Sequence, residues 1–199
     1  MEKGELRVEW KTLGEVGKVS MCKRIFKNET SKHEEIPFFK IGTFGKTPDT
    51  FISKEKYTTY KNKFSFPKKG DVLLSASGTI GRRVIYDGKP AYFQDSNIVW
   101  IDNDEKLLLN RFLYYYYSIV DWKTDGGTIK RLYNSNLKKI RVPIPPLEEQ
   151  ERIVAILDKF DVLVNDISVG LPAEIEARRK QYEHYREKLL TFQELRMEK

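Results

Sequence analysis

A chain of 199 residues with 36 Lys and Arg against 29 Asp and Glu carries a net charge of +7, with 40% of its residues hydrophobic. That length holds one or two domains around a sizeable core, and the composition is too apolar for a disordered tail and too polar for a membrane protein. No window approaches the ~18 uninterrupted apolar residues of a spanning helix, the opening MEKGELRVEW lacks the apolar run of a signal peptide, and the single Cys22 excludes an internal disulfide or a multi-cysteine zinc site. The expectation is a soluble, cytoplasmic protein with no metal and no cofactor.

In chain order, the first part reads as mixed and strand-rich. Val72-Leu73-Leu74, Arg83-Val84-Ile85-Tyr86 and Ile98-Val99-Trp100-Ile101 are short, β-branched or aromatic runs, and such runs between Gly, Asp and Asn read as strands. Turn signals recur at Lys69-Gly70-Asp71, Ser77-Gly78, Asp87-Gly88 and Asp102-Asn103. Helical periodicity is best from about Glu105 to Trp122, where Leu107, Leu108, Phe112, Tyr115, Tyr116, Ile119 and Trp122 keep a wide apolar face. Tyr114 to Tyr117 cover every side of that helix and read as core packing.

A boundary falls at Arg141-Val142-Pro143-Ile144-Pro145-Pro146, where three prolines force an extended backbone and remove donors that a strand interior needs. Leu147-Glu148-Glu149-Gln150-Glu151 then suits a helix start, with acids at its positive end. Beyond it, Ile153, Ile156, Leu157, Phe160, Leu163, Val164 and Ile167 step by threes and fours, a narrow stripe of the coiled-coil kind. Val169-Gly170-Leu171-Pro172 predicts a kink or break, and the period resumes at Ile175, Tyr182 and Leu189. The fold class is therefore α+β: a globular mixed domain over 1–143 and a long helical, coiled-coil-like region over 144–199. Charge follows the same division. Residues 1–143 hold 27 Lys and Arg against 17 Asp and Glu, a net of +10, and the remainder is −3. A basic, aromatic-rich domain suits a polyanion, although a solubilising surface would look the same.

Catalytic motifs are missing. The sequence contains no GxxxxGK[ST] phosphate loop and no GxSxG elbow. His33 and His184 have no ligand spacing, and Cys22 beside Lys23 and Arg24 reads as a small structural residue. Two polar glycine turns are more informative. Ser75-Ala76-Ser77-Gly78-Thr79-Ile80-Gly81-Arg82-Arg83 follows a strand and offers three hydroxyls and two arginines. Gly126-Gly127-Thr128-Ile129-Lys130-Arg131-Leu132-Tyr133-Asn134 repeats the Gly-Thr-Ile theme. Glycine allows close approach to a nucleic-acid backbone, arginine meets phosphate or guanine bidentately, and Gln94 or Asn134 can pair with an adenine edge. The candidate DNA-binding set is Ser75, Ser77, Thr79, Arg82, Arg83, Gln94, Lys130, Arg131, Tyr133 and Asn134. Each loop taken alone could equally be a solvated turn.

These residues also carry a family resemblance. Ile144-Pro145-Pro146-Leu147-Glu148-Glu149-Gln150-Glu151-Arg152-Ile153-Val154-Ala155-Ile156-Leu157-Asp158, and Gly170 through Arg186, resemble the conserved helical region of specificity subunits of type I restriction-modification systems. Gly70-Asp71-Val72-Leu73, Ser77-Gly78-Thr79-Ile80-Gly81 and Gly127-Thr128-Ile129-Lys130-Arg131 are similar to landmarks of that family's target-recognition domain, and Trp10 to Val16 is similar to its usual start. The resemblance implies a non-catalytic chain that reads one half of a split site in double-stranded DNA. It implies helices that dock methyltransferase subunits and, through them, restriction subunits. Family members carry two recognition domains and two helical regions in tandem, so one of each implies a half-subunit, natural or truncated. Two copies pairing antiparallel through Leu157, Phe160, Val164, Ile167, Ile175, Tyr182 and Leu189 would rebuild the tandem as a homodimer. The competing readings are a helical adaptor that does not read DNA, and a nuclease with an unrecognised active site. A repressor is a third, but no helix-turn-helix with a basic recognition helix is evident.

Overall fold

The computed structural model describes residues 8–122 and 130–190, with side chains described up to 161 and at 176, 178–181, 183 and 184. The chain divides into two compact units, Met1–Val154 and Ala155–Lys199. The architecture mixes helices and strands. Its strands are β1 (Glu9–Thr12), β2 (Lys18–Ser20), β3 (Ile36–Phe39), β4 (Phe51–Ile52), β5 (Val72–Ser75), β6 (Arg83–Ile85), β7 (Tyr92–Phe93), β8 (Ile98–Asp102) and β9 (Arg141–Ile144). Its helices are α1 (Leu13–Val16), α2 (Lys54–Lys63), α3 (Asn110–Tyr116), α4 (Asn134–Lys138) and α5 (Leu147–Leu190).

The centre of the first unit is an antiparallel sheet in the order β2-β8-β5-β6. Successive strand residues point to opposite faces, and both faces are covered. Val72, Leu74, Val99 and Ile101 join a core with Leu13, Leu108, Leu113, Tyr117 and Leu137. Leu73, Ile98 and Trp100 join a second core with Phe38, Phe44, Ile52, Tyr92 and Phe93. Double-sided burial is why β5 and β8 read as unbroken apolar runs instead of alternating ones, and the three expected strands, β5, β6 and β8, agree with the structure. A second sheet, β4-β3-β7, packs into the second core. A two-stranded ribbon pairs β1 with β9 and sets Trp10 opposite Pro143. Both strands of such a ribbon are edges, which is where a strand tolerates proline.

Two helices differ from expectation. The helix predicted over 105–122 is confined to α3. Glu105 has φ +58° and cannot lie in a right-handed helix, and Leu109 is extended as the α3 N-cap (φ −68°, ψ 133°). After Tyr117 the chain continues in tighter turns, Ser118 N–H donating to the Tyr115 carbonyl and Ile119 N–H to that of Tyr116. In α5 the helical backbone runs through Gly170, Leu171 and Pro172, so of the expected kink or break the break does not occur. An internal proline removes one helical hydrogen bond and bends a helix without ending it.

Polar groups fix the joints of the first unit. Asp71 is buried, accepts the Lys68 backbone N–H at 2.7 Å and lies 3.4 Å from the Asn110 amide, which in turn accepts from Asn103. Burial raises its carboxyl pKa above the ordinary value, only partly countered by the Lys68 N–H. The folded state therefore holds the Asp71 proton more tightly than the unfolded chain. Its contribution to stability is fully present below the unfolded pKa of about 4 and declines as pH rises through the higher folded value. Asp71→Asn is expected to flatten the rise in wild-type stability as pH is lowered from neutrality toward about 4. Denaturant midpoints compared across that range check this, and parallel profiles for the two proteins would refute it.

Candidate nucleic-acid interface

The β5–β6 hairpin is built by its own hydroxyls. Ser75 N–H donates to the Arg82 carbonyl at 2.8 Å, while Ser75 Oγ donates to the Thr79 carbonyl and accepts from Arg82 N–H at 2.9 Å. Gly81, at φ +84°, is required twice over: the conformation disfavours a side chain, and a Cβ there would lie 2.4 Å from Trp122 Nε1. The loop is then tied to two other segments. Ala76 N–H donates to the Asn97 carbonyl at 2.7 Å, and the Ala76 carbonyl accepts from Leu132 N–H at 2.9 Å. Ser77 Oγ donates to Asn97 Oδ1 at 2.9 Å, and Ser77 forms an isolated antiparallel bridge with Arg131.

Segments 75–83, 96–97 and 130–135 thus come together. Met21, Ser96, Arg131, Tyr133, Asn134 and Ser135 line a shallow recess there. Thr79, Lys130, Tyr133 and Asn134 are exposed, and the half-buried Arg131 places its guanidinium 5.9 Å from the Tyr133 ring centroid. A cation, an aromatic ring, hydroxyls and an amide together have the functional groups for phosphate contact and base-edge pairing.

The remaining predicted residues are elsewhere or already occupied. Ser75 and Ser77 are buried, and their hydroxyls are used within the hairpin. Gln94 Oε1 accepts from Ile41 N–H at 2.9 Å, and its side chain lines a separate recess with Lys27, Lys32 and Lys40. Arg82 Nη1 donates to the Phe44 carbonyl at 3.0 Å. Arg83 lies over Tyr114, its guanidinium carbon 4.8 Å from the ring centroid. Gly126, Gly127, Thr128 and Ile129 of the second glycine turn lie outside the described residues. Of the helical stripe, Leu157 is half-buried and Phe160 exposed, and the side chains of Val164, Ile167, Ile175, Tyr182 and Leu189 lie outside those described. Cys22 is buried among apolar residues, and desolvation pushes its thiol up to about 12. A thiol held so far from ionisation is a poor nucleophile.

Sequence reasoning missed Asn97, whose carbonyl and side chain hold the loop, and Trp122, which closes on Gly81. Their only sequence signals were a polar turn ahead of a strand and an aromatic residue at the end of a helical pattern. Among the described residues, no group of three or more His, Cys, Asp and Glu is arranged to hold a metal ion, and no helix is long and apolar enough to cross a membrane.

Residues 7–177 match the family model of the type I restriction modification DNA specificity domain. A putative type I restriction enzyme specificity subunit of Haemophilus influenzae is 64% identical over 181 residues, which are 90% of this chain and 47% of that protein. The specificity subunit of the Escherichia coli type I restriction enzyme EcoR124I/EcoR124II is 33% identical over 204 residues, 94% of this chain and 49% of that one. A solved structure described in terms of complex assembly and conformational transition of the type I R-M system matches with a TM-score of 0.67 at 25% identity, covering 92% of this chain and 45% of that chain. The HsdS subunit from Thermoanaerobacter tengcongensis shares the fold, with a TM-score of 0.61 at 23% identity over 84% of this chain and 41% of that one. The chain spans about half the length of the curated relatives it matches. With a family model covering most of its residues and close relatives of one kind, the chain belongs to the type I restriction-modification DNA specificity family.

Proposed function

We propose that this chain serves as a non-catalytic DNA-specificity component, in which residues 1–143 read one half of a bipartite site in double-stranded DNA. The observation that carries the reading is the convergence of the β5–β6 loop with segment 130–134 through the Ser77–Arg131 bridge, on a domain with a net charge of +10. Lys130 and Arg131 attract and hold phosphates, releasing counterions. Tyr133 and Asn134, exposed at the recess, and Thr79, exposed on the β5–β6 loop, are assigned to the base edges. Ser75 and Ser77 support the loop from beneath.

Residues 144–199 supply a helical region that docks methyltransferase subunits and, through them, restriction subunits, in the cytoplasm. Two such helices, one from each of two copies, pair antiparallel as a coiled coil and hold two readers in fixed register. Methyl transfer and cleavage belong to the partner subunits.

The test is DNA affinity of the chain assembled with its modification subunits. Arg131→Ala removes a side chain but keeps the backbone bridge, so the loop persists. It is expected to weaken target binding by about 1–3 kcal/mol, roughly 5- to 150-fold. Equal affinities for wild type and variant would remove Arg131 from the interface.

A further inference from the structure

A second recess of the first unit is richer in cations than the one at Arg131. Lys27, Ser31, Lys32, Lys40 and Gln94 line it, and no Asp or Glu stands among its described lining residues. Lys40 is already paired, with Asp49 at 2.8 Å. Lys27 and Lys32 are exposed, and among the described residues neither ammonium has an ion pair or a hydrogen bond.

Two neutral donors stand beside them on a fixed frame. Ser31 is tied to Phe51 by two backbone hydrogen bonds, at 2.9 and 2.8 Å, and its Oγ accepts the His33 N–H at 3.0 Å. Its hydroxyl proton has no acceptor among the described residues. Gln94 is held through its backbone N–H on the Phe39 carbonyl and its Oε1 on the Ile41 N–H, both at 2.9 Å. Its Nε2 likewise keeps both protons unused among the described residues. Two ammoniums, an amide and a hydroxyl are thus donors in want of acceptors. A phosphodiester is their complement, since its oxygens carry negative charge and only accept.

The place of this recess in the fold says which phosphate it meets. Gln94 lines it and Ser96 lines the Arg131 recess, so two residues, at most ~7 Å of chain, separate the two. Ile25 and Met21 are divided in the same way, and the Arg24–Asp95 ion pair at 2.9 Å joins the two segments between them. A DNA strand carries a charge every ~3.4 Å of its axis, so a duplex seated at Arg131 has phosphates within reach of the lysines. We propose that Lys27 and Lys32, with the Ser31 hydroxyl and the Gln94 amide, hold a backbone phosphate of the DNA beside the bases read at the Arg131 recess. The proposal rests on the reading that the chain binds DNA, and it gives Gln94 a positioning role in place of a base-reading one. Such a contact acts on every sequence alike.

The experiment takes two readouts on the full chain. The first is binding to a labelled duplex of arbitrary sequence between about 50 and 200 mM salt. Lys27→Gln with Lys32→Gln removes two exposed charges and breaks no side-chain hydrogen bond among the described residues. It is expected to lower the slope of log affinity against log salt by about 2, so that the wild-type advantage shrinks roughly 10-fold across that range. Lys69→Gln, equally exposed but at the end of the β5–β6 hairpin away from its loop, should leave the slope unchanged. The second readout is lysine acetylation followed by mass spectrometry. The duplex should protect Lys27 and Lys32, and inorganic phosphate at the same ionic strength should not. Equal protection by inorganic phosphate would assign the recess to a free phosphate and overturn the proposal. Lysines that stay reactive under the duplex, an unchanged slope, or a slope lowered as much by Lys69→Gln also overturn it. If Arg131→Ala still weakens target binding, the DNA-reading assignment survives any of these failures. No binding by wild type at the lowest salt overturns the phosphate contact and the DNA-reading assignment together.

Discussion

Gln150→Leu is expected to lower the stability of the first unit by about 2–5 kcal/mol, and its unfolding midpoint by roughly 5–15 °C. Gln150 is fully buried at the start of α5. Its Oε1 accepts the Leu109 N–H at 2.8 Å, and its Nε2 donates to the Leu107 carbonyl at 2.9 Å and the Pro145 carbonyl at 2.8 Å. One side chain thus satisfies three backbone groups and joins the proline turn to the N-cap of α3. Leucine is close in volume, so the cavity term is small and the cost is the desolvation of groups left unpaired, about 1–3 kcal/mol for each that water does not reach; the bonds to Leu107 and Leu109 are only part-buried. Gln150→Glu keeps the acceptor but loses the donor, turning a carboxylate toward two carbonyls, and is expected to be at least as damaging. Glu148→Ala, on the exposed side of the same turn, should stay within about 0.5 kcal/mol of wild type. A loss below about 1 kcal/mol for Gln150→Leu would show that water replaces the amide.

Gln150 also marks the limit of what the sequence makes legible. It stands in the most specific segment of the chain, yet two of its three partners are 41 and 43 residues away, and no local pattern encodes a contact at that distance. The same limit explains α3. Apolar spacing extends back to Leu107, but the backbone of residues 107–109 is engaged by Gln150 and Asn103 and leaves the helical path. Elements whose burial lies in their own residues were legible: β5 and β8 are continuous apolar runs because both faces are covered. α2 was not, since Lys54–Lys63 buries only Tyr57 and has almost no apolar periodicity. At the candidate interface, glycine spacing correctly located a tight hairpin, with Gly78 and Gly81 both at positive φ. Composition could not separate hydroxyls that face outward from those that bind the loop, so Thr79 and Ser75 looked equivalent in sequence and have opposite exposures.

In light scattering at several concentrations, the chain is expected to show twice its 23.5 kDa mass, and Leu157→Glu with Phe160→Glu to show a single copy. The apolar stripe of α5 divides at the boundary between the two units. Ile153 and Val154 pack against the first core, whereas Ile156 and Phe160 of the second unit are 41% and 59% exposed. In sequence the stripe continues at three- and four-residue steps through Val164 and Ile167 and resumes at Ile175, Tyr182 and Leu189. Repetition of that kind is the pattern of a seam between helices. Each apolar side chain buried there contributes about 1.5–3 kcal/mol before ordering costs, so two glutamates in the seam remove several kcal/mol and leave carboxylates to be desolvated there. If the pair forms, symmetry dictates the target: two identical readers related by a two-fold axis require two identical half-sites in inverted orientation. The same double variant should then lose the bipartite site while keeping affinity for a single half-site, since Arg131 and its neighbours lie in the other unit. A wild-type chain that stays monomeric at every concentration would sink the homodimer and leave the stripe to a different half-subunit, with an asymmetric target.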